Sequence, residues 1–382
     1  MVCLPFNRQG IQIADAAYRT IKLALPNSFR RDISKVDWNA FEPRPSLLCL
    51  PAIAILLCAG ILGGHPSAAM IAAGGAQTAG FGSFQKPLLF RAGPMVLASI
   101  GMAISTMVGS MAHNTVVLVA LGIVWAFLYG MCNAISSPAS WVGQQCCTFL
   151  VVSSAFPDTP GQAALRGVCV LFGGLLQSLT IEFFWQFTRP AKSALDTPDS
   201  HPPGWRWRAV RANLTLKSGI CRYAVRLSVI AILSILIYRH LPFANAYWIP
   251  MTALIIPKPE LFLTAERVVS RILGTVIGGG IATAIAALFR PQALLLALLV
   301  LIFIWAAYSL QNVNYGIYIT VLTGYIAFLL AIGRLPASEV AFHRIFATFV
   351  GGAIVLAAYL IDSRLEQRLF SRRPMGRYRQ RV

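Results

Sequence analysis

The chain has 382 residues, of which 57% are hydrophobic and 12% are charged, and its mean hydropathy is +0.67. A soluble globular domain carries about twice that share of charged residues, so the composition excludes a soluble protein and indicates a membrane protein. The formal net charge of +19 raises nucleic-acid binding as an alternative, which depends on where the basic residues lie.

The basic residues cluster beside apolar stretches. Residues 1–46 hold seven Lys and Arg, residues 186–217 hold six and residues 362–382 hold seven, out of 32 in the chain. This is the positive-inside pattern, which places both termini and the central linker in the cytoplasm and requires an even number of spans. We therefore expect contact with anionic lipid headgroups and no nucleic-acid partner.

Apolar stretches follow one another along the chain. Nine of them approach or reach the roughly 20 residues needed to span a bilayer, at residues 47–64, 94–111, 116–131, 166–184, 224–237, 268–288, 293–310, 315–332 and 341–361. Three shorter stretches, 67–83, 140–156 and 246–257, are interrupted by Gly or Pro and predict short or broken helices. Backbone can break at membrane depth only where it faces protein or water, so these breaks indicate a substrate path.

The predicted fold is an all-α polytopic membrane protein with about twelve transmembrane helices in two homologous six-helix halves. A basic cytoplasmic segment (1–46) precedes the first half (47–185), a cytoplasmic linker (186–218) follows it, and a second half (219–361) precedes a basic cytoplasmic tail (362–382). The N-terminal segment is too polar to be a secretory signal. We expect the protein in the inner (plasma) membrane.

An internal repeat relates the halves. Shifting the sequence by about 180 residues aligns Arg91 with Arg271, Trp125 with Trp305 and Arg166 with Arg344. An arginine followed by two small residues at the seventh and eighth positions occurs four times, once at each of the four arginines. About three spans separate the two copies within a half, which predicts that each half is an inverted 3+3 repeat, as alternating access requires.

The repeated arginines are the candidate site. On a helix, Arg271 shares a face with Thr275, and Arg344 shares a face with Thr348. One interpretation is that Arg271 and Arg344, with Arg91 and Arg166 as their repeat equivalents, bind the carboxylate of a substrate between the halves. The alternative is that each arginine reaches headgroups from the start of a helix.

Residues 241–280 carry the most distinctive motifs: Tyr-Trp-Ile-Pro at 247–250, Pro-Lys-Pro at 257–259 and Glu-Arg-x3-Arg-x2-Gly-Thr at 266–275. In these motifs the chain resembles the fusaric acid resistance family, which includes aromatic acid exporters, and its six-span halves look like the membrane part of plant aluminium-activated malate channels. The resemblance is close over 219–361 and weaker over 47–185, where Ser-Ala-Ala-Met stands at 67–70. It implies efflux of small, often aromatic, carboxylic acids.

Three further residues are candidates within this resemblance. Tyr247 and Trp248 lie at a broken helix where an aromatic substrate could stack, or they are interfacial belt residues. Glu266 precedes an arginine pair and is the candidate for proton coupling, with an ordinary interfacial ion pair as the alternative.

The leading functional hypothesis is a secondary transporter that exports small organic anions. A passive organic-anion channel of the same fold is the alternative, because acidic residues are scarce in the spans, and a non-transporting scaffold is a third class. No phosphate-binding loop or metal-ligand spacing is found, so we expect no cofactor, no metal and no enzymatic activity. The eight cysteines are expected to be apolar packing residues, and a homo-oligomer or an envelope partner subunit is compatible with the sequence.

Overall fold

The computed structural model describes residues 35–188, 205–243, 245–259, 261–333 and 337–370. Most of the predicted N-terminal segment, part of the linker and most of the basic tail lie outside the described residues. The described residues form fourteen α-helices: α1 (Pro43–Leu47), α2 (Leu50–Leu62), α3 (Pro66–Phe81), α4 (Gly93–Ser110), α5 (Thr115–Cys132), α6 (Ser137–Ser153), α7 (Pro160–Thr188), α8 (Trp205–Asn213), α9 (Gly219–His240), α10 (Trp248–Ile255), α11 (Leu261–Phe289), α12 (Ala293–Leu310), α13 (Tyr315–Ile332) and α14 (Ala337–Phe370).

Short polar residues set where several helices begin. The side chains of Asn114, Ser136, Ser218 and Asn314 each accept a hydrogen bond from a backbone N–H in the first turn of α5, α6, α9 and α13. Such caps satisfy donors that have no intrahelical partner. The apolar runs between these caps then continue as uninterrupted helix.

The helices fit a membrane in length and composition. Among the described residues, eight are long and apolar enough to cross a bilayer, or nine when the bent pair formed by residues 38–47 and Leu50–Leu62 counts as one span. Helices α3, α6 and α10 complete the bundle and lie where the sequence predicts short or broken helices. Helix α10 is short, with 8 residues, whereas α3 and α6 are unbroken, with 16 and 17 residues. Together these make six helices in each half, which confirms the all-helical, polytopic fold class.

The outer surface of the bundle is apolar. Large hydrophobic side chains are exposed along the long helices, among them Val116, Phe172, Leu179, Ile277 and Leu288. Exposure on this scale would be unfavourable in water, whereas lipid tails accommodate it. The chain is therefore a multi-pass membrane protein.

The same helix neighbours occur in both halves. In the first half α2 packs on α3, α3 on α7, α4 on α6 and α7, and α5 on α6; in the second half α9 packs on α10, α10 on α14, α11 on α13 and α14, and α12 on α13. The contacts between the halves come in two equivalent pairs. Helix α5 packs on α9 and, correspondingly, α12 packs on α2; likewise, α6 contacts α10 and α13 contacts α3. A duplication would give this pattern, while the inverted 3+3 relation stays a prediction.

Small residues bring α11 and α13 close together. A Cβ atom at Gly278 would lie 2.1 Å from the carbonyl oxygen of Thr320, and one at Gly274 would lie 2.6 Å from the carbonyl oxygen of Gly316. Backbones approach this closely only where side chains are absent. The contact brings the first turn of α13, with Tyr315, against Arg271 of α11.

Candidate functional site

A cavity of about 470 Å³ lies between the two halves. Along α6 its lining runs from Ser137, the first residue of the helix, to Val152, which is about 22 Å at 1.5 Å per residue. Amide side chains make much of its wall polar: Gln77, Gln85, Asn133, Gln144, Gln145, Gln311 and Asn312. Its volume is in the range of small-molecule sites.

The positive charge of the cavity comes from the second half. Lys258, Arg267, Arg271 and Arg344 all line it, and no Asp or Glu is among the described residues that do. Cations inside a membrane bundle are costly unless a partner or water stabilises them. An anion in the cavity would supply that partner.

Arg271 and Arg344 are the most deeply buried of these cations, with exposed fractions of 4% and 5%. An amino group of Arg271 donates to the hydroxyl of Tyr315 at 3.2 Å, and the Cζ of Arg344 lies 5.1 Å from the centroid of the Trp248 ring. In both arginines Nε is buried with no hydrogen-bond partner among the described residues. Neither contact neutralises the charge, so both side chains stay available to an anion.

Lys258 reaches the cavity from the turn between α10 and α11. Helix α10 ends at Ile255 after eight residues, and the amide of Gln144 on α6 donates to the carbonyl oxygens of Leu254 and Ile255 at 3.4 and 3.1 Å. These bonds satisfy carbonyl groups that a continuous helix would satisfy itself. The break is therefore stable inside the bundle.

An aromatic layer of Phe156, Tyr247 and Trp248 lies next to one end of the cavity lining. Beyond Val152, the ring of Phe156 lies 5.7 Å from that of Tyr247, which lies 5.5 Å from that of Trp248. These three residues are outside the cavity lining, and Arg344 stacks on the cavity side of the layer.

The structure separates the four predicted arginines. Arg91 pairs with Glu182 at 2.9 Å and stacks 3.8 Å from the Trp185 ring. Arg166 pairs with Asp158 at 2.8 Å. Neither arginine lines the cavity, so the expected cluster of four is corrected to the pair from the second half, because carboxylates of the first half already neutralise the other two.

The other predicted residues lie around the cavity and not on its surface. Tyr247 and Trp248, expected to stack on substrate, belong to the aromatic layer instead. Thr348 donates to the carbonyl oxygen of Arg344 within its own helix, and the Thr275 hydroxyl is buried without a hydrogen-bond partner among the described residues. Glu266 is half-buried on α11 and does not line the cavity, so its role in proton coupling stays a prediction.

Sequence reasoning missed several lining residues. Lys258, Gln144 and Tyr315 were not candidates, and Arg267 was noted only as a neighbour of Glu266. The signal that could have identified two of them is a polar residue within an apolar segment. Gln144 interrupts an apolar helix, and Lys258 stands between two prolines inside a hydrophobic stretch.

Comparison with known proteins finds one matching family and several relatives. Residues 232–358 match the family described as fusaric acid resistance protein-like. Over 157 residues the chain is 31% identical to the uncharacterized protein ORF2 of Neisseria gonorrhoeae, covering 40% of this chain and 36% of that protein. It is equally identical over 157 residues to the inner membrane protein YccS of Escherichia coli, covering 40% and 21% of the two chains. A third relative, YhfK of Escherichia coli, is 36% identical over 108 residues, covering 28% and 15%.

The aligned region spans well under half of each of these relatives. No solved structure matches the chain.

The fold and the cavity define a multi-pass helical membrane protein with a cationic chamber between its halves. Within that class, residues 232–358 in the second half are similar to the fusaric acid resistance protein-like family. Similarity to an inner membrane protein agrees with a location in the inner membrane.

Proposed function

We propose that the protein transports small organic anions, carboxylates above all, across the inner membrane through this cavity. The observation that carries the proposal is the set of four cations lining a cavity in which no described residue supplies a carboxylate. Arg271 and Arg344 would bind the carboxylate of the substrate, and the guanidinium fork suits that geometry.

Aromatic acids are the proposed substrates. The rings of Phe81, Tyr129, Trp141, Phe149 and Tyr318 line the same cavity as the cations. A substrate with a ring and one carboxylate would therefore meet both aromatic surface and guanidinium groups in the same cavity.

Export from the cytoplasm is the proposed direction. The basic flanks predict that both termini lie in the cytoplasm. The cavity is lined by Asn133 and Ser137 near the turn between α5 and α6 and by Gln311 and Tyr315 near the turn between α12 and α13. These turns lie on the side of the bundle that the basic flanks assign to the cytoplasm, so the cavity would load there. The aromatic layer would separate it from the opposite side, which favours a carrier with two access states.

A passive anion channel is the second candidate. The absence of an acidic side chain among the described lining residues favours it, since proton coupling then lacks an obvious carboxylate. Reconstituted vesicles distinguish the two with a panel of benzoate, 4-hydroxybenzoate, malate and benzenesulfonate. Accumulation driven by a proton gradient supports the carrier, current that follows only the anion gradient supports the channel, and no flux of any acid would refute transport.

A further inference from the structure

The turn between α10 and α11 is held by side chains from neighbouring helices. The hydroxyl of Tyr223 on α9 donates to the carbonyl oxygen of Pro257 at 3.1 Å. Arg226, one helical turn further along α9, donates to the carbonyl oxygen of Pro259 at 3.4 Å. Arg226 is itself fixed by an ion pair with Asp362 on α14. Two carbonyl groups of the segment 257–259 are therefore bound by one neighbouring helix.

The backbone of Lys258 is bound on both sides. Its carbonyl oxygen accepts from the hydroxyls of Tyr359 on α14 and Thr264 on α11, and its N–H donates to the Thr264 hydroxyl at 3.1 Å. Its ammonium group has no ion-pair partner among the described residues, although its side chain lines the cavity. Three helices thus fix the main chain of the turn, while the charged side chain of Lys258 faces the cavity.

We propose that Lys258 is a specificity-determining residue of the anion path. Its ammonium group, held in position by this clamped turn, binds the anion together with Arg267. The anion then moves on to Arg271 and Arg344. The inference rests on the proposed function of the cavity and adds a second anion-binding position to it. A clamped turn is suited to the role because a fixed charge loses little freedom when it binds.

The charge of this position depends on pH. Burial, aided by the neighbouring Arg267, lowers the pKa of Lys258 to about 8. The titratable or charged groups around the turn include Tyr223 and Arg226 on α9, Glu266 and Arg267 on α11, Tyr359 and Asp362 on α14, and Tyr129 on α5, whose hydroxyl lies 3.2 Å from that of Tyr223. Glu260, two residues along the sequence, lies outside the described residues.

The lysine is protonated below its pKa, so anion affinity is expected to be high at neutral pH and to fall as the pH rises through about 8.

The first half supplies a matched control. The sequence Gln-Lys-Pro-Leu-Leu-Phe at 85–90 resembles Pro-Lys-Pro-Glu-Leu-Phe at 257–262. Its lysine, Lys86, is exposed and does not line the cavity. Two lysines in similar turns therefore differ in whether they face the cavity.

The experiment measures benzoate binding to the full chain in nanodiscs between about pH 6.5 and about 9.5, where benzoate stays ionised. We expect the wild-type affinity to fall about tenfold across this range, the effect of one charge several ångströms from the anion. Lys258→Gln should bind about tenfold more weakly at neutral pH with a flat profile. Lys258→Arg should keep the neutral-pH affinity to the upper limit, because arginine stays protonated, and Lys86→Gln should behave as wild type.

Folding is not a confounding factor in these variants, since the turn is held through the backbone atoms of residue 258. Wild-type affinity in Lys258→Gln, or a profile that still falls near pH 8 in that variant, would overturn the inference. If Arg271→Gln abolishes binding while the Lys258 variants match wild type, the inference fails and the proposed function stands. If the wild-type protein binds no benzoate at all, the proposed aromatic substrate fails and the inference fails with it.

Discussion

Arg344→Gln tests whether a buried charge without a carboxylate partner is there to bind an anion. A guanidinium and a carboxylate about 4 Å apart attract by about 4 kcal/mol at an effective dielectric constant of about 20. Desolvation offsets part of this, so we expect a net loss of about 3 kcal/mol, which is roughly 150-fold in Kd. The same side chain is 5% exposed and has a buried, unsatisfied Nε. Removing that uncompensated charge should therefore stabilise the anion-free protein.

Thermal unfolding with and without benzoate measures both effects. The wild-type protein should unfold at a higher temperature when benzoate is present, because a ligand that binds only the folded state stabilises it. Arg344→Gln should unfold at a higher temperature than wild type without benzoate, and benzoate should add nothing.

Arg166→Gln is the matched control, because it breaks the ion pair with Asp158 outside the cavity. This variant should be no more stable than wild type and should still respond to benzoate. An Arg344→Gln protein that is less stable than wild type and still stabilised by benzoate would refute the reasoning.

Two further predictions concern the helix contact beside the site. Tyr315→Phe removes the hydroxyl that accepts a hydrogen bond from Arg271 at 3.2 Å. We expect normal folding and about a fivefold loss of benzoate affinity, since one hydrogen bond contributes about 1 kcal/mol. An unchanged affinity in nanodisc binding would show that the contact does not orient the arginine. Gly278→Ala would place a Cβ atom 2.1 Å from the carbonyl oxygen of Thr320, whereas Gly280→Ala meets nothing within 4 Å. We expect the first substitution to destabilise the protein by about 2 kcal/mol and the second to be neutral in detergent melting curves, and equal melting temperatures would contradict the tight α11–α13 contact.

Composition and periodicity were sufficient to predict the fold class. Bilayer thickness fixes the length of a spanning helix, so nine long apolar runs translate directly into helices. The three interrupted runs predicted short or broken helices, and of these only α10 is short, since α3 and α6 continue through their glycines for 16 and 17 residues. The long spans follow from local sequence alone.

The site was only partly predictable. Arg271 and Arg344 were selected by their recurrence, and both line the cavity. Arg91 and Arg166 show the same recurrence, but recurrence does not reveal whether an acidic residue elsewhere in the chain reaches the guanidinium. Glu182 is 91 positions from Arg91 in the sequence, so only the folded bundle shows that the pair forms.

Lys258 shows the opposite difficulty. Its position between two prolines in a hydrophobic stretch marks it as unusual, but the sequence does not show that it faces the cavity while Lys86, which precedes a proline in a similar hexapeptide, does not. The difference arises from Tyr223, Arg226 and Tyr359, which belong to other helices and hold the second turn at the cavity. Contacts of this kind depend on tertiary packing and leave no local signal.

The central claim is that the cations of the second half, and not their counterparts in the first half, carry the anion across the membrane. The most direct test is flux in reconstituted vesicles of the acid that the wild-type protein transports fastest, measured for two double variants. Arg271→Gln with Arg344→Gln should abolish flux while inserting normally, and Arg91→Gln with Arg166→Gln should retain it. Flux that persists in the first double variant, or is lost equally in both, would contradict the account.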